Sequence, residues 1–282
     1  MFYKRMILYI QGAILLIESA IMVLPIAAAL IYRETSGVWF FYTALAAAIC
    51  GFAAMKLSKP RTKTIYAKEG LITVALGWIA LSLTGALPYA FTGALTHYVD
   101  AVFETVSGLT TTGSTVFPEV EHLPRSVLLW RSLTQWMGGM GVLVFAMAVL
   151  PMTDGRAMHL MRAEVPGPTC GKISSKLSDS AKILYAIYLV MTVIETILLC
   201  AGGMPLFDAL IHAFGTAGTG GFSIRNAGMS VYSPYSQTVI TVFMILFSIN
   251  FTLYYLLLIG KLRQALRSEE MWVFLGILAA VS

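Results

Sequence analysis

The stretch Asp100-Ala-Val-Phe-Glu-Thr-Val-Ser-Gly-Leu-Thr-Thr-Thr-Gly-Ser114 returns 108 residues later as Asp208-Ala-Leu-Ile-His-Ala-Phe-Gly-Thr-Ala-Gly-Thr-Gly-Gly-Phe222. Each copy reads as a short apolar helix running into a Thr/Gly-rich segment, and each lies between two long apolar stretches. The first helical part, His97–Leu109, would reach roughly 20 Å at 1.5 Å per residue. A bilayer core is about 30 Å thick, so such a helix can enter a membrane but cannot cross it. Non-helical backbone is not tolerated against lipid at that depth, so the Thr/Gly segment must be buried in protein or line a watery path. A helix that enters partway and returns as a segment rich in carbonyls and hydroxyls is a way to build an ion filter. The expectation is a membrane protein that passes a dehydrated monovalent cation.

The rest of the composition agrees with a place in the bilayer. The chain is 58% hydrophobic and 12% charged, with mean hydropathy +0.79. Those values belong to the integral-membrane class. The formal charge of +5 comes from loops that fall on one side of the membrane. Lys4 and Arg5, the run from Lys56 to Lys68, the residues from Arg156 to Lys182, and Lys261, Arg263 and Arg267 together hold 15 of the 19 Lys and Arg residues. Positive loops mark the cytoplasmic side, which places the N-terminus there. No contiguous basic face points to nucleic acid. Cys50, Cys170 and Cys200 lack CxxC spacing, which argues against a disulfide framework and a zinc site.

Taken in order, residues 1–68 hold two additional transmembrane helices, about Met6 to Tyr32 and Val38 to Leu57. Ala27-Ala28-Ala29 could serve a signal peptidase, but the first apolar run is long enough to span, and a retained helix is favoured. Residues 69–151 form a first helix–pore-loop–helix unit, with spans at Gly70–Phe91 and Val127–Pro151. A polar basic linker, 152–182, leads to a second unit at 183–262, with spans at Ile183–Cys200 and Gln237–Gly260. Both units start on the same side, so they are parallel repeats. Residues 263–282 read as the start of a third. The fold expected is an all-α integral membrane protein, its repeats arranged around a pseudo-fourfold ion pore.

To pass potassium, a pore must replace the ion's water shell with oxygens at low cost, and stacked carbonyls and threonine hydroxyls can do so. Turning successive carbonyls to one axis needs left-handed backbone angles, which glycine tolerates. The candidate filter residues are Thr110, Thr111, Thr112 and Gly113 in the first copy and Thr219, Gly220 and Gly221 in the second. Thr111, Thr112, Gly220 and Gly221 are the expected K+ ligands, with Gly113 matching Gly221. Each short helix would aim its negative C-terminal end at the ion, while Asp100 and Asp208 complement the opposite pole. Thr/Gly-rich runs are also ordinary loops, but a gapless second copy in the same slot argues against that here. Gly215–Gly221 lacks the Gly-Lys-Ser/Thr ending of a phosphate loop.

Thr111-Thr-Gly-Ser114, Trp130-Arg-Ser-Leu-Thr-Gln-Trp-Met-Gly-Gly-Met-Gly141 and Thr219-Gly-Gly-Phe-Ser223 resemble the Trk/Ktr/HKT superfamily of potassium transporters, most of all its bacterial TrkH branch. The resemblance covers the whole chain. It implies four repeats around one pore, one filter glycine per repeat, and bound K+. It also implies a homodimer in the bacterial inner membrane and a cytoplasmic nucleotide-binding regulatory subunit of the TrkA kind. The chain departs from that pattern in holding two repeats.

Other residues admit two readings each. Glu18 and Glu195 lie inside spans, where a carboxylate either serves ion or proton coupling or bonds across helices. They carry the alternative function, a proton- or sodium-coupled carrier of a small solute. Glu104 and His212 match in the two short helices and pack behind the filter or touch the ion. Glu119 and Glu121 either draw cations to the outer mouth or are simply solvated. Arg131 either snorkels or pairs with a short-helix acid. The three glycines after Met137 allow close helix packing or bending. HExxH and GxSxG are absent from the sequence, and no enzyme is expected.

Overall fold

The computed structural model describes residues 3–59, 67–141 and 177–281, and their regular structure is helical throughout. The first apolar stretch is two helices, α1 (Tyr3–Ile21) and α2 (Val23–Tyr32). Pro25 lacks the N–H that would bond the Ile21 carbonyl, which accounts for the joint. Together they make one apolar length of 29 residues, Lys4–Tyr32. Arg33 takes left-handed backbone, φ 56°, and turns the chain into α3 (Gly37–Leu57). Helices α1 and α3 meet glycine to glycine. A Cβ on Gly12 would lie 2.6 Å from the Gly51 carbonyl, and one on Gly51 would lie 2.7 Å from the Gly12 carbonyl. Lipid tails are as apolar as leucine, so close backbone packing of this kind holds helices together in a membrane.

Helix α4 (Ala67–Phe91) leads to the short α5 (Tyr98–Leu109), and α6 (Arg125–Gly139) follows. The pattern returns in α7 (Leu177–Ala201), the short α8 (Leu206–Ala217) and α9 (Pro234–Ser248). At 25 residues each, α4 and α7 extend about 37 Å, enough to cross with some tilt; α5 and α8, at 12 each, extend about 18 Å. His97 and Pro205 stand at the N-caps of the short helices. Helix α6 packs against both of them.

By length and composition, four described helices can cross a membrane, and a bent pair makes a fifth if it counts as one span. That pair corrects the expected straight span from Gln237 to Gly260. Helix α9 stops at Ser248, and α10 (Phe251–Leu258) leaves it at 88°. The break is a built turn. Ile249 and Asn250 take extended ψ angles of 141° and 119°, and the Asn250 side chain accepts from the Thr252 N–H at 3.0 Å. An asparagine there caps a new helix instead of continuing the old one. The expected span from Val127 to Pro151 differs too, because α6 ends at Gly139 and Gly141 is left-handed at φ 69°. Residues 142–151, the linker through 176 and Cys170 lie outside the described residues. Beyond α10 come α11 (Leu262–Ala265) and α12 (Glu269–Val281), the latter where the sequence reads the start of a third repeat.

The helices are tied by polar bonds as well as packing. Gln11 donates to the Thr73 carbonyl at 2.8 Å, joining α1 to α4, and Trp130 Nε1 donates to the Gly85 carbonyl at 2.9 Å, joining α6 to α4. Tyr188 OH donates to the Trp136 carbonyl at 2.9 Å, which ties α7 to α6. The Glu34 carboxylate accepts the first amides of α6, from Arg125 at 2.6 Å and Ser126 at 3.0 Å. The N-terminal helices are thereby fastened to α6 through an acid at a helix N-terminus, where charge and dipole agree.

Candidate ion-binding segments

The two Thr/Gly segments have the same backbone. Thr111 and Thr219 are left-handed at φ 55° and 53°, and Gly113 and Gly221 at φ 76° and 77°. Their amides turn back onto the end of the short helix that precedes them. Thr110, Thr111 and Thr112 donate to the carbonyls of Val106, Gly108 and Ser107 at 2.8, 2.9 and 2.9 Å. Gly218, Thr219 and Gly220 donate to Phe214, Thr216 and Gly215 at 3.2, 2.7 and 3.1 Å, the same acceptors one copy later. Gly113 and Gly221 reach Ser107 and Gly215 at 3.5 and 3.3 Å.

In a trans peptide the carbonyl points opposite to the N–H. Because the amides of residues 111–113 face the helix end, the carbonyls of Thr110, Thr111 and Thr112 face away from it. Those of Gly218, Thr219 and Gly220 do the same. The segments are in contact. A Cβ on Gly113 would overlap the Gly220 carbonyl oxygen, and one on Gly220 would stand 3.0 Å from the Thr111 oxygen. The arrangement sets two rows of backbone oxygens beside the negative ends of two short helices, which is chemistry for a cation. Thr111 and Thr219 also line a cavity of about 570 Å³, along with Trp78, Phe247, Asn250 and Glu270.

Helix α6 stands behind both segments. A Cβ on Gly138 would overlap the Leu109 carbonyl at the end of α5, and one on Gly139 would lie 2.9 Å from the Ala217 carbonyl at the end of α8. Close packing is therefore the use of Gly138 and Gly139, while Gly141 turns the chain at φ 69°. Arg131, on the same helix, is buried and pairs with Glu104, Nε to Oε1 at 2.5 Å, which settles its two readings in favour of the acid. Its Nη1 donates to the Ser223 carbonyl at 3.0 Å, and its guanidinium lies 3.8 Å above the Phe222 ring. One side chain thus grips the first short helix and the far end of the second segment.

Glu104 also accepts from Thr115 Oγ1 at 3.0 Å and from the Val116 N–H at 2.9 Å. The matching His212 has its Nε2 at 3.2 Å from the Ser223 hydroxyl and its Nδ1 at 2.7 Å from the Asp208 carbonyl. Glu104 and His212 therefore hold equivalent hydroxyls, with charge in one copy only. Asp100 and Asp208 lie in the first turns of their helices, and Asp208 accepts from Tyr232 OH at 3.0 Å. Burial and the bond to Asp208 push the Tyr232 phenol up to about 12. Glu119 stands 3.6 Å from His122 on the surface, and Glu121 accepts from the Asn226 N–H at 3.2 Å.

Glu18 and Glu195 are buried in matching places. Left-handed glycines, Gly93 and Gly203, follow α4 and α7, and eight residues before them stand Gly85 and Glu195. A Cβ on Gly85 would lie 3.0 Å from Glu18 Oε1, so α1 delivers a carboxylate where α4 has no side chain. Both Glu195 oxygens and one of Glu18 have no hydrogen-bond partner among the described residues.

Two residues of this site escape a reading of the sequence alone. Gln135 is fully buried behind the second segment, where its Oε1 accepts from the Phe222 N–H at 3.2 Å. Glu34 sits in what reads as a plain turn. The signal for Gln135 was its position one helical turn after Arg131, on the same face.

The chain is 37% identical over 277 residues to the Trk system potassium uptake protein TrkH of Salmonella typhimurium, which takes in 97% of this chain and 57% of that protein. It is 33% identical to the Trk system potassium uptake protein TrkG of Escherichia coli, over 99% of this chain and 58% of that one. The crystal structure of the potassium transporter TrkH from Vibrio parahaemolyticus superposes with a TM-score of 0.75 at 32% identity, covering 89% of this chain and 51% of that one. The chain spans a little over half the length of these curated relatives. The TrkH family of cation transport proteins matches residues 39–277, a range that takes in both short helices and both Thr/Gly segments, and the chain belongs to that family of multi-pass membrane transporters.

Proposed function

We propose that the complete protein takes up potassium across the bacterial inner membrane through a filter to which this chain contributes Thr110–Gly113 and Gly218–Gly221. The observation that carries the proposal is the shared backbone of the two segments, left-handed at Thr111 and Gly113 and again at Thr219 and Gly221, with the Gly220 oxygen against Gly113 and the Thr111 oxygen near Gly220. A potassium ion enters from water, exchanges its hydration shell for the carbonyls of Thr110, Thr111, Thr112, Gly218, Thr219 and Gly220, and feels the C-terminal ends of α5 and α8. Gly113 and Gly221 supply the backbone turn that ends each row. The cavity lined by Thr111 and Thr219 receives the ion as it leaves.

In this reading 69–151 and 183–262 are parallel repeats, 263–282 opens a third, and four repeats close a pseudo-fourfold pore. The N-terminus and the 152–182 linker face the cytoplasm. The relatives named as Trk system potassium uptake proteins support the choice of ion. A homodimer and a cytoplasmic nucleotide-binding subunit of the TrkA kind complete the assembly.

Tracer flux into vesicles holding the complete protein tests the proposal. Potassium and rubidium should enter and sodium should be excluded, with little dependence on pH. A second reading has one observation behind it, the unpartnered oxygens of buried Glu195. A coupled solute carrier built on Glu195 and Glu18 would instead show uptake that follows the proton or sodium gradient and stops in Glu195→Gln.

A further inference from the structure

The two Thr/Gly segments share a backbone but not side chains. Where the first copy has Ser107, Thr110 and Thr112, the second has Gly215, Gly218 and Gly220. In the first copy those hydroxyls fasten the loop from within. Ser107 Oγ donates to the Ser114 carbonyl at 2.5 Å, and the Thr110 and Thr112 hydroxyls bond each other at 2.8 Å. Glycines cannot make such bonds, yet the second segment keeps the same path.

The three glycines have one neighbour in common. A Cβ on Gly215 would lie 3.2 Å from Gln135 Oε1, one on Gly218 would lie 2.6 Å from the Gln135 carbonyl oxygen, and one on Gly220 would overlap Gln135 Nε2. Gln135 thus fills the space that the missing side chains leave. Its Oε1 also takes the Phe222 N–H at 3.2 Å, and Phe222 is the counterpart of Ser114, the residue that Ser107 holds. Only the carbonyl end of the amide can accept from an N–H, which fixes the orientation and lays Nε2 against Gly220. In the first copy the preceding residue of α6, Thr134, presses on Gly108 instead.

We propose that Gln135 is a positioning residue for the second segment, supplied by the first repeat's helix in place of the hydroxyls that the second copy lacks. The assignment rests on the reading of Gly218–Gly221 as part of a cation filter. Gln135 touches no ion in this account. It sets the spacing of the carbonyls of Gly218–Gly220 and so their preference for potassium over the smaller sodium. It also makes one filter segment depend on the other repeat, so the two cannot be tuned separately.

The test uses the complete transporter in vesicles and reads rubidium uptake and its competition by sodium for Gln135→Ala, Gly215→Ser and the double variant. Gln135→Ala should lower discrimination against sodium about tenfold, the scale of one buried hydrogen bond. Gly215→Ser alone should also lose discrimination, because its Cβ would stand 3.0 Å from the Phe222 carbonyl oxygen and 3.2 Å from Gln135 Oε1, too crowded for the hydroxyl to settle while Gln135 is in place. The double variant should recover most of it, with a serine hydroxyl reaching the Phe222 carbonyl as Ser107 reaches Ser114. Wild-type discrimination in Gln135→Ala, or a double variant no better than the worse single one, overturns the assignment. If Gln135→Ala does not accumulate in membranes, recovery of both accumulation and selectivity in the double variant supports it, and recovery of neither overturns it. A wild-type protein without discrimination overturns the filter reading itself, and this assignment with it.

Discussion

Arg131 and Glu104 form a buried ion pair, Nε to Oε1 at 2.5 Å, between α6 and the first short helix. Each partner has further bonds: Glu104 to Thr115 and the Val116 amide, Arg131 to the Ser223 carbonyl. A buried charge is tolerable only when paired and hydrogen-bonded, and here both conditions hold.

Arg131→Met should therefore cost about 3–5 kcal/mol, because it leaves the buried Glu104 carboxylate without its counter-charge. Adding Glu104→Gln should return much of that loss, since the orphaned charge is gone. Thermal unfolding of the purified protein in detergent reads both steps. Simple addition of the two single losses would show that the residues do not act as a pair.

Gly138 and Gly276 should respond oppositely to alanine. A Cβ on Gly138 meets the Leu109 carbonyl, so Gly138→Ala should destabilise by about 1–3 kcal/mol through overpacking. Gly276 has no atom within 4 Å of its Cβ position in α12, and Gly276→Ala should be neutral or gain up to about 1 kcal/mol. Unfolding midpoints of the two variants rank the sites, and a milder effect at Gly138 would refute the close contact.

Glu195→Gln should leave ion selectivity intact and the pH profile of uptake unchanged, since the filter account gives this buried carboxylate a structural place beside α8. Flux measured across a range of outside pH checks it. A pH dependence in the wild type that vanishes in the variant would favour the coupled carrier.

The sequence displays most of the helices because a bilayer imposes a length that apolar runs must meet. The duplicated segment is legible for a related reason: the same backbone task recurs, and Gly113 and Gly221 solve it with the same residue. What stayed hidden depends on contacts between distant elements. Glu34 caps α6 from 91 residues away, and Gln135 reaches Phe222 across 87. Glu34 leaves no periodic or local trace, and the helical spacing of Gln135 from Arg131 gives its face but not its partner. The bend at Asn250 did have a local sign, a capping residue inside an apolar run, but hydropathy outweighed it. The asymmetry between Glu104 and His212 was visible, while the reason for it, Arg131 facing only the first copy's helix, was not.

The most direct test is the preference for potassium over sodium in Gly113→Ser and Gly221→Ser, measured by flux through the complete protein. Both should erode it, because a side chain strains the left-handed backbone at each position. Gly113→Ser should be the worse, since its Cβ also overlaps the Gly220 carbonyl, whereas the nearest atom to that of Gly221 is Met244 Cε at 4.0 Å. Wild-type selectivity in both variants would contradict the claim that these segments choose the ion.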